Sequence, residues 1–253
     1  MWLFLFSTLL CSLVYLSETR EEGKIIGGNP VPISEVPYQI SFRYHNQHFC
    51  GGSIYNDQSI VTAAHCVEGF RNVNGLSIVA GQTKLSDTNG QKIAVTKMTP
   101  HPEYDAETVD YDVAVLHLAQ PLVFNENVSA IELSTTPVRS RSMAYVTGWG
   151  TTKQGGGGEV SDHLLGVDVR VQSWYACQLQ YFLKLTSRMF CAGNFFGGQD
   201  SCQGDSGGPV KFENKLVGIV SFGRGCGDVA SPGVYTQVSS VIEFIKNATN
   251  TSP

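Results

Sequence analysis

The chain has 253 residues, a formal net charge of −5 and 42% hydrophobic residues, and 15% of its residues are charged. This length and composition predict one large globular domain or two small packed units, and they argue against a disordered chain. The sequence contains no basic block and no stretch of interleaved basic and aromatic residues, so we expect no nucleic-acid partner.

The N-terminus predicts a secretory signal peptide over residues 1–17. Residues 2–16 are almost wholly apolar, and this run is too short for a comfortable membrane span. An N-terminal membrane anchor is the alternative, although no later segment approaches the ~20 apolar residues that a span needs. We therefore expect a secreted, extracellular protein without membrane contact once the signal is removed.

Short strand-like runs dominate the rest of the chain, and Gly, Asn, Asp and Pro separate them. The clearest runs, in chain order, are 76–80, 113–118, 144–149, 216–222 and 233–238. Residues 167–171 alternate between valine and charged side chains, which is the pattern of a half-buried strand. Many short strands with frequent turns predict an all-β fold of barrels or sandwiches.

Only two segments predict helices, a short one at 173–179 and another at 239–247. In the second, Val241, Ile242 and Ile245 can share one face. The stretch 120–142 has no strong pattern and contains prolines, so we expect it to link two halves of the molecule.

Seven cysteines occur, and Cys11 falls inside the predicted signal peptide. An even number of remaining cysteines in a secreted chain favours three disulfides, whose pairing the sequence alone leaves open. No Cys-x-x-Cys or His-x-x-x-His cluster indicates a metal site. Three Asn-x-Ser/Thr sequons, at Asn127, Asn247 and Asn250, are candidate glycosylation sites. The remaining cysteines are Cys50, Cys66, Cys177, Cys191, Cys202 and Cys226.

Three separate motifs supply a candidate nucleophile, base and acid. Ser206 lies between small, turn-forming residues in 204–209, His65 lies in 62–66, and Asp112 leads into an apolar strand. A serine hydroxyl needs a base to take its proton, and a histidine held in one tautomer by a buried carboxylate suits that task. The backbone N–H groups of Gly204 and Ser206 can meet the oxyanion that forms during attack.

These motifs resemble those of trypsin-like serine proteases of the chymotrypsin family, and the match covers residues 25 to about 246 in the order His, Asp, Ser. The Ser-His-Asp mechanism is the known mechanism of that family. The matching segments are Ile25-Ile26-Gly27-Gly28, Cys50-Gly51-Gly52-Ser53, Thr62-Ala63-Ala64-His65-Cys66, Asp112-Val113-Ala114-Val115, Gly148-Trp149-Gly150, Met189-Phe190-Cys191-Ala192-Gly193, Asp200-Ser201-Cys202-Gln203-Gly204-Asp205-Ser206-Gly207-Gly208-Pro209, Ser221-Phe222-Gly223 and Pro232-Gly233-Val234-Tyr235.

The resemblance implies an all-β fold of two packed antiparallel six-stranded β-barrels with a C-terminal α-helix and an active site in the inter-barrel cleft. His65 and Asp112 would lie in the first barrel and Ser206 in the second. It also implies three disulfides, which are Cys50–Cys66, Cys177–Cys191 and Cys202–Cys226.

The Lys24-Ile25 junction resembles the activation site of the family. Cleavage there would remove residues 18–24 as a propeptide and leave a protease domain over 25–253. In the family the new ammonium of Ile25 pairs with the acid before the nucleophile, here Asp205, and this pairing orders the oxyanion turn. The alternative is that Asp205 only caps a turn.

The resemblance implies that Asp200, six positions before the nucleophile, lies at the base of the primary specificity pocket, where an acid would pair with Arg or Lys. A surface aspartate is the alternative reading of that residue. The other expected substrate-binding residues lie near the pocket base, along its walls or on the strand that binds the substrate backbone, and Ser221 is also expected to orient the triad acid. They are Ser201, Ser221, Phe222, Gly223 and Gly233.

The sequence therefore predicts a secreted serine endopeptidase, made as a zymogen, that cuts after Arg or Lys through an acyl-enzyme. Its expected partners are proteins or peptides with Arg or Lys before the cut bond and protein protease inhibitors, and we expect a monomer. No cofactor and no metal is expected, since Gln82 and Gly90 replace the two glutamates of the calcium loop of digestive vertebrate trypsins.

Two other functions fit parts of this sequence. A non-catalytic protease homologue acting as a binding module usually loses a triad member or the activation terminus, and this chain keeps all of them. An α/β-hydrolase esterase would share the Gly-x-Ser-x-Gly pattern, but its histidine follows the serine and none follows Ser206. Asp110 is expected to be exposed, and the other histidines are expected to be superficial or structural, namely His45, His48, His101, His117 and His163.

Overall fold

A computed structural model describes residues 28–151, 158–182, 184–193, 204–223 and 232–250. The predicted signal peptide and propeptide lie outside the described residues, as do the site candidates Lys24, Ile25, Asp200, Ser201, Cys202 and Cys226.

Over the described residues the chain forms strands that follow one another closely, with one short helix between strands and one at the C-terminal end. The first half contains β1 (Asn29–Pro30), a 3₁₀ turn (Ile33–Glu35), β2 (Gln39–Tyr44), β3 (Gln47–Asn56), β4 (Ser59–Thr62), β5 (Leu76–Ala80), β6 (Gln91–Pro100) and β7 (Ala114–Leu118). The second half contains β8 (Glu132–Leu133), β9 (Met143–Gly148), β10 (Leu165–Arg170), α1 (Trp174–Gln180), β11 (Met189–Ala192), β12 (Pro209–Phe212), β13 (Lys215–Phe222), β14 (Gly233–Gln237) and α2 (Val238–Asn250).

The first half is a closed antiparallel barrel in the order β2-β3-β4-β7-β6-β5. Ile60 of β4 lies opposite Leu116 of β7, and both side chains are fully buried with Ile40, Ile54 and Ile78 from the neighbouring strands. Closure pairs the edges of the sheet, and the branched side chains fill the interior.

The second half forms an antiparallel sheet in the order β10-β9-β12-β13-β14-β11, and β1 of the first half pairs with β10. Val171, just after β10, and Ala192 of β11 form a bridge that brings the two ends of this path together, and we call this half the second barrel. Val167 and Val169 of β10 point into the core, while Asp168 and Arg170 are exposed. The prediction of an all-β fold with two packed β units and a C-terminal helix is confirmed.

The helices match the sequence patterns closely. Ser173 caps α1, since its side chain accepts a hydrogen bond from the Ala176 N–H. In α2, Val241 and Ile245 are buried and Ile242 is half-buried, so the predicted apolar face packs on the barrels. None of the described helices is long and apolar enough to span a membrane.

Two of the implied disulfides are present. Cys50 bonds to Cys66 with a Cα–Cα distance of 6.4 Å, and Cys177 bonds to Cys191 with a Cα–Cα distance of 5.8 Å. The first ties β3 to the segment after β4, and the second ties α1 to β11.

The two halves meet through buried polar groups as well as apolar ones. Thr147 of β9 donates a hydrogen bond from Oγ1 to Oε1 of Gln39 in β2 at 2.7 Å, and both residues are buried. The predicted link at 120–142 also carries β8, which pairs in parallel with β13. Such bonds fix the orientation of one barrel on the other, because a buried polar group needs its partner in place.

Candidate active site

His65 and Asp112 meet where two neighbouring strands end. His65 follows β4 and Asp112 precedes β7, and these strands pair with Thr62 opposite Ala114. Nδ1 of His65 lies 2.8 Å from Oδ2 of Asp112, and the backbone N–H of His65 donates to Oδ1 at 2.9 Å. Because the carboxylate accepts from Nδ1, the neutral ring carries its proton there and keeps a lone pair on Nε2.

Asp112 is fully buried, and the second half of the molecule supplies two more donors to it. Ser221 of β13 donates from Oγ to Oδ2 at 2.5 Å. Thr236 of β14 donates from Oγ1 to the backbone carbonyl of Asp112 at 2.9 Å. A buried carboxylate is costly unless it is hydrogen-bonded, so these contacts allow a charged acid beside His65.

The charge on Asp112 changes the proton affinity of His65. Burial by itself lowers the pKa of His65, but the hydrogen bond to Asp112 and the negative charges of Asp112 and Glu68 outweigh it. The pKa of His65 is therefore raised above its ordinary value. Its side chain stays partly open to solvent, with 28% exposed, so the ring can exchange protons with a neighbouring molecule.

Ser206 lies in a turn that several backbone bonds hold. Gly204 and Gly207 have φ values of 96° and 76°, in the region that glycine adopts without steric cost. The carbonyl of Ser206 accepts from the N–H of Gly51 at 2.7 Å, and the N–H of Gly207 donates to the carbonyl of Val220 at 2.8 Å. The turn is thus bonded to both barrels.

This turn packs directly against the segment that leads to His65. A Cβ atom at Gly207 would lie 2.2 Å from Oγ1 of Thr62 and 3.0 Å from the backbone N of Ala63. A Cβ atom at Gly51 would lie 3.0 Å from Cα of Gly208. The absence of side chains at these positions therefore lets the Ser206 turn approach the histidine loop, which places Ser206 and His65 at the same junction of the barrels.

Asp205 is also fully buried, and its carboxylate packs against the C-terminal end of β9 in the second barrel. Its Oδ1 accepts a hydrogen bond from the N–H of Gly150 at 2.8 Å. A Cβ atom at Gly148 or Gly150 would lie 2.0 or 2.3 Å from a carboxylate oxygen. The glycines on each side of Trp149 are therefore needed to make room for this carboxylate.

His48 holds the same turn from the first barrel. Its Nε2 lies 2.9 Å from the Gly204 carbonyl, and its Nδ1 lies 2.9 Å from Oγ of Ser41, which accepts a bond from Arg43. Burial lowers the pKa of His48 to about 4, the bond to Gly204 opposes that change, and the charge of Arg43 adds to it. A neutral ring that donates from Nε2 and accepts at Nδ1 satisfies all of these groups.

The described wall of the predicted pocket comes from β13 and β14. Phe222 is half-buried, packs edge to face on Tyr181 at 5.9 Å between ring centres, and lies opposite Val234 across a bulge. Gly233 starts β14, and Tyr181 donates from its hydroxyl to the Pro232 carbonyl at 2.6 Å. Gly223 ends the described part of this wall, and Asp200 and Ser201 lie outside it.

The comparisons with known proteins agree with this arrangement. Residues 25–245 match the family model named Trypsin. Serine protease 1 of Homo sapiens is 39% identical over 229 residues, which cover 90% of each chain. Trypsin-1 of Astacus astacus is 42% identical over 235 residues, 88% of this chain and 98% of the relative. Trypsin 5G1 of Aedes aegypti is 40% identical over 232 residues, 90% of this chain and 85% of the relative.

The chain belongs to the trypsin family. It is a serine endopeptidase, and proteases of this family act on protein substrates.

One expectation about this trypsin-family protease is wrong. Asp110 was expected to be exposed, but the residue is only 8% exposed and its carboxylate pairs with Arg188. Arg188 lies 78 residues further along the chain, in the second half of the molecule, so no local sequence pattern connects it with Asp110. The role of His48 in holding the Ser206 turn was missed for a similar reason, since Gly204 is 156 residues away.

One group of the described residues has the ligand types of a metal site, namely Cys50, His65 and Cys66. The two cysteine sulfurs are bonded to each other in this protease, so neither is available as a thiolate ligand. The group therefore gives no support for a metal ion beside His65.

His48 predicts a pH dependence of the stability of this protease. Because the pKa of His48 is lowered to about 4, the unfolded chain takes up a proton near pH 6.5 while the folded protein does not. Stability contributed by the neutral ring is therefore present above pH 6.5 and lost toward pH 4, at about 1.4 kcal/mol per pH unit. His48→Gln should flatten this part of the profile in urea unfolding of the Ser206→Ala protein.

The control is His45→Gln, which alters an exposed histidine and should leave the slope as in the parent protein. If the free energy of unfolding falls equally steeply in the parent and in His48→Gln between pH 6.5 and 4.5, the assignment of a neutral His48 is contradicted.

Proposed function

We propose that this protease cuts peptide bonds after Arg or Lys through an acyl-enzyme on Ser206, with His65 as the base and Asp112 as the orienting acid. One observation carries the proposal, which is the 2.8 Å contact between His65 Nδ1 and the buried Asp112 carboxylate. That contact leaves Nε2, the other ring nitrogen, as the proton acceptor for a serine hydroxyl.

In the proposed reaction Ser206 Oγ attacks the carbonyl carbon of the scissile bond and gives its proton to His65 Nε2. The carbonyl oxygen becomes an anion and accepts hydrogen bonds from the N–H groups of Gly204 and Ser206. The protonated His65 then gives its proton to the leaving amine as the C–N bond breaks. A water molecule repeats the sequence on the acyl-enzyme, and Asp112 stays ionised throughout.

The shape of the turn supports an oxyanion site. The φ of 96° at Gly204 is accessible to glycine, and a Cβ atom there would lie 3.1 Å from Gly150 Cα. The His48 bond to the Gly204 carbonyl fixes the peptide group that lies between the two donor residues. Donors held in place before the reaction cost little reorganisation when charge develops, which is what such a site requires.

Substrate selection is assigned to the pocket beside β13 and β14. Asp200 at its base would pair with the Arg or Lys side chain, and Ser201 would add a hydroxyl. Gly223 and Gly233 would leave the entrance open, and the strand that ends in Phe222 would bind the substrate backbone by strand addition.

Activation is assigned to cleavage between Lys24 and Ile25, which removes 18–24 and leaves 25–253. The new ammonium would pair with Asp205, whose buried carboxylate and glycine surroundings suit a charged partner. We assign 1–17 to a signal peptide and the protein to the extracellular space, as a monomer open to protein inhibitors. A third disulfide, Cys202–Cys226, completes the proposed framework.

Glycosylation is proposed at the three sequons. Asn247 and Asn250 are exposed on α2, and Asn127 is half-buried in the segment before β8. Exposed asparagines on the face of α2 turned away from the barrels can carry a glycan without displacing core side chains.

The raised pKa of His65 predicts the acid limb of the pH–rate profile. The base must be neutral to accept the Ser206 proton, so kcat/KM should rise with pH through a midpoint above about 6.5. Glu68→Gln removes one of the charges that raise this pKa and should lower the midpoint by about 0.2–0.5 unit, less at high salt. Steady-state rates on an arginine peptide ester from pH 5 to 9 test this, and a midpoint at or below pH 6.5 would contradict it.

The role of Asp200 predicts a change of substrate. Asp200→Ser should lower kcat/KM for arginine and lysine peptides by at least about 100-fold, because an unpaired charge in a buried pocket is costly. Cutting after phenylalanine should change much less. The same three peptides on the parent enzyme are the reference, and equal or better parent activity after phenylalanine would refute the assignment.

A further inference from the structure

The segment just before Asp112 has an unusual backbone. Val109 has a φ of 55° and Tyr111 a φ of 52°, and they flank Asp110. Side chains of L-residues meet steric conflict in this left-handed region, and a β-branched residue such as valine meets it most strongly. Contacts from elsewhere in the protein must therefore hold 109–111, and this segment sets the position of the next residue, Asp112.

Some of those contacts are local, since the N–H of Asp105 donates to the Asp110 carbonyl at 3.1 Å and the N–H of Tyr111 donates to Asp110 Oδ1 at 2.9 Å. The others come from the second barrel and converge on the Asp110 carboxylate. Arg188 donates from Nε to Oδ1 at 2.9 Å and from Nη2 to Oδ2 at 2.5 Å. Thr186 donates from Oγ1 to Oδ1 at 2.8 Å. A two-pronged arginine–carboxylate pair fixes orientation as well as distance, and a lysine cannot reproduce both bonds.

Arg188 also covers the next residue of the segment. Its guanidinium carbon lies 4.5 Å from the ring centre of Tyr111, in the geometry of a cation–π contact. The Tyr111 ring also stacks on His101 with 4.4 Å between ring centres, and His101 packs on Phe244 of α2. The left-handed Tyr111 therefore contacts Arg188 directly and the C-terminal helix through His101.

Arg188 itself is anchored beside the strands that reach Asp112. Its carbonyl accepts from the N–H of Gln237 at 2.7 Å, and Gln237 ends β14. The preceding residue of β14, Thr236, is the donor to the Asp112 carbonyl. The end of β14 therefore holds Asp112 directly, through Thr236, and Asp110 indirectly, through Arg188.

We propose that Arg188 is a positioning residue for the acid of the catalytic site. By binding Asp110 and covering Tyr111, it keeps the strained segment in place and so holds Asp112 against His65. The inference deepens the proposed function and rests on the role given there to Asp112 and His65.

The charges near both groups determine what removal of Arg188 should do. The carboxylates of Asp112 and Glu68 influence His65, and the Tyr104 hydroxyl, which donates to Glu68, is close enough to feel both charges. Besides Arg188, the charged or titratable groups that influence Asp110 or its neighbour Tyr111 are Glu103, Asp105 and His101.

Burial raises the pKa of Asp110, but the bonds from Arg188 and Thr186 outweigh it and lower that pKa, so the carboxylate is charged at neutral pH. Without Arg188 this charge loses its main partner, and the segment can relax from its left-handed conformation. The bond between Asp112 and His65 then loosens. The hydrogen bond and the charge of Asp112, which raise the pKa of His65, then act less strongly, while burial still lowers that pKa.

The test compares Arg188→Ala, Arg188→Lys and Asp110→Asn with the control Lys215→Ala. Lys215 also forms an ion pair from the second barrel, with Glu132 at 3.6 Å, but that pair is exposed and remote from Asp112. For each activated enzyme, kcat and KM are measured on one peptide ester, together with the midpoint of the rise of kcat/KM with pH, which is the acid limb of the profile. The pKa of His65 is also measured by NMR titration of each variant in the inactive Ser206→Ala protein.

Arg188→Ala should lower kcat about 10- to 100-fold with KM within about twofold, because a shift of the orienting acid affects the chemical step more than substrate binding. The acid limb and the NMR pKa of His65 should both fall by at least about 0.5 unit. Arg188→Lys should lie between Arg188→Ala and the parent, and Lys215→Ala should match the parent.

An unchanged kcat and an unchanged pKa of His65 in Arg188→Ala would overturn the proposal, even if the melting temperature falls. If Arg188→Ala does not fold, Asp110→Asn, which keeps the shape of the side chain, decides the question by the same two readouts. The NMR comparison needs no catalysis. An inactive parent would therefore refute the proposed function, while the pKa values would still decide the positioning role.

Discussion

The arrangement of this molecule depends on one buried charge, the carboxylate of Asp112. It has no contact with water, so each of its oxygens requires donors inside the protein. His65 supplies two of them from the first barrel, and Ser221 supplies another from the second. Because the donors lie on different barrels, the carboxylate is satisfied only when the barrels are packed in one orientation, and the same orientation brings the Ser206 turn to His65.

A second constraint is the close approach of backbones at this junction. Gly51 and Gly207 have no side chain where the Ser206 turn meets the first barrel, and Gly148 and Gly150 make room for Asp205. A methyl group at Gly207, Gly148 or Gly150 would collide with a neighbouring side chain, and one at Gly51 would crowd the Gly208 backbone. The glycines within these motifs are therefore needed for the close packing of the two barrels, and they do not serve only as flexible turn residues.

The sequence predicts those parts of the protein that depend on local patterns. The alternation at 167–171 became β10, and the apolar spacing after 239 became the buried face of α2. The family resemblance supplied the two-barrel arrangement and the pairing of the two disulfides that the structure contains. The strand and the helix face follow from periodicity in the sequence, whereas the barrels and the disulfide pairing came only from the resemblance to the family.

Contacts between distant residues had no such signal. His48 has no motif of its own, and its bond to Gly204 exists only because two barrels fold against each other. Asp110 looked like a surface acid because its partner, Arg188, lies in the other half of the chain. Polar residues that close an interface carry no periodic pattern, so their roles become visible only when the tertiary structure brings them together.

We propose that the two barrels together activate Ser206 through His65 and Asp112. Treatment with a radiolabelled fluorophosphonate, followed by mass spectrometry of the peptides, is the most direct test. We expect a single adduct on Ser206 after cleavage at Lys24, with little labelling of the uncleaved chain and none of Ser206→Ala. A cleaved protein that takes up no label, or takes it up at another residue, would show that Ser206 is not the activated nucleophile.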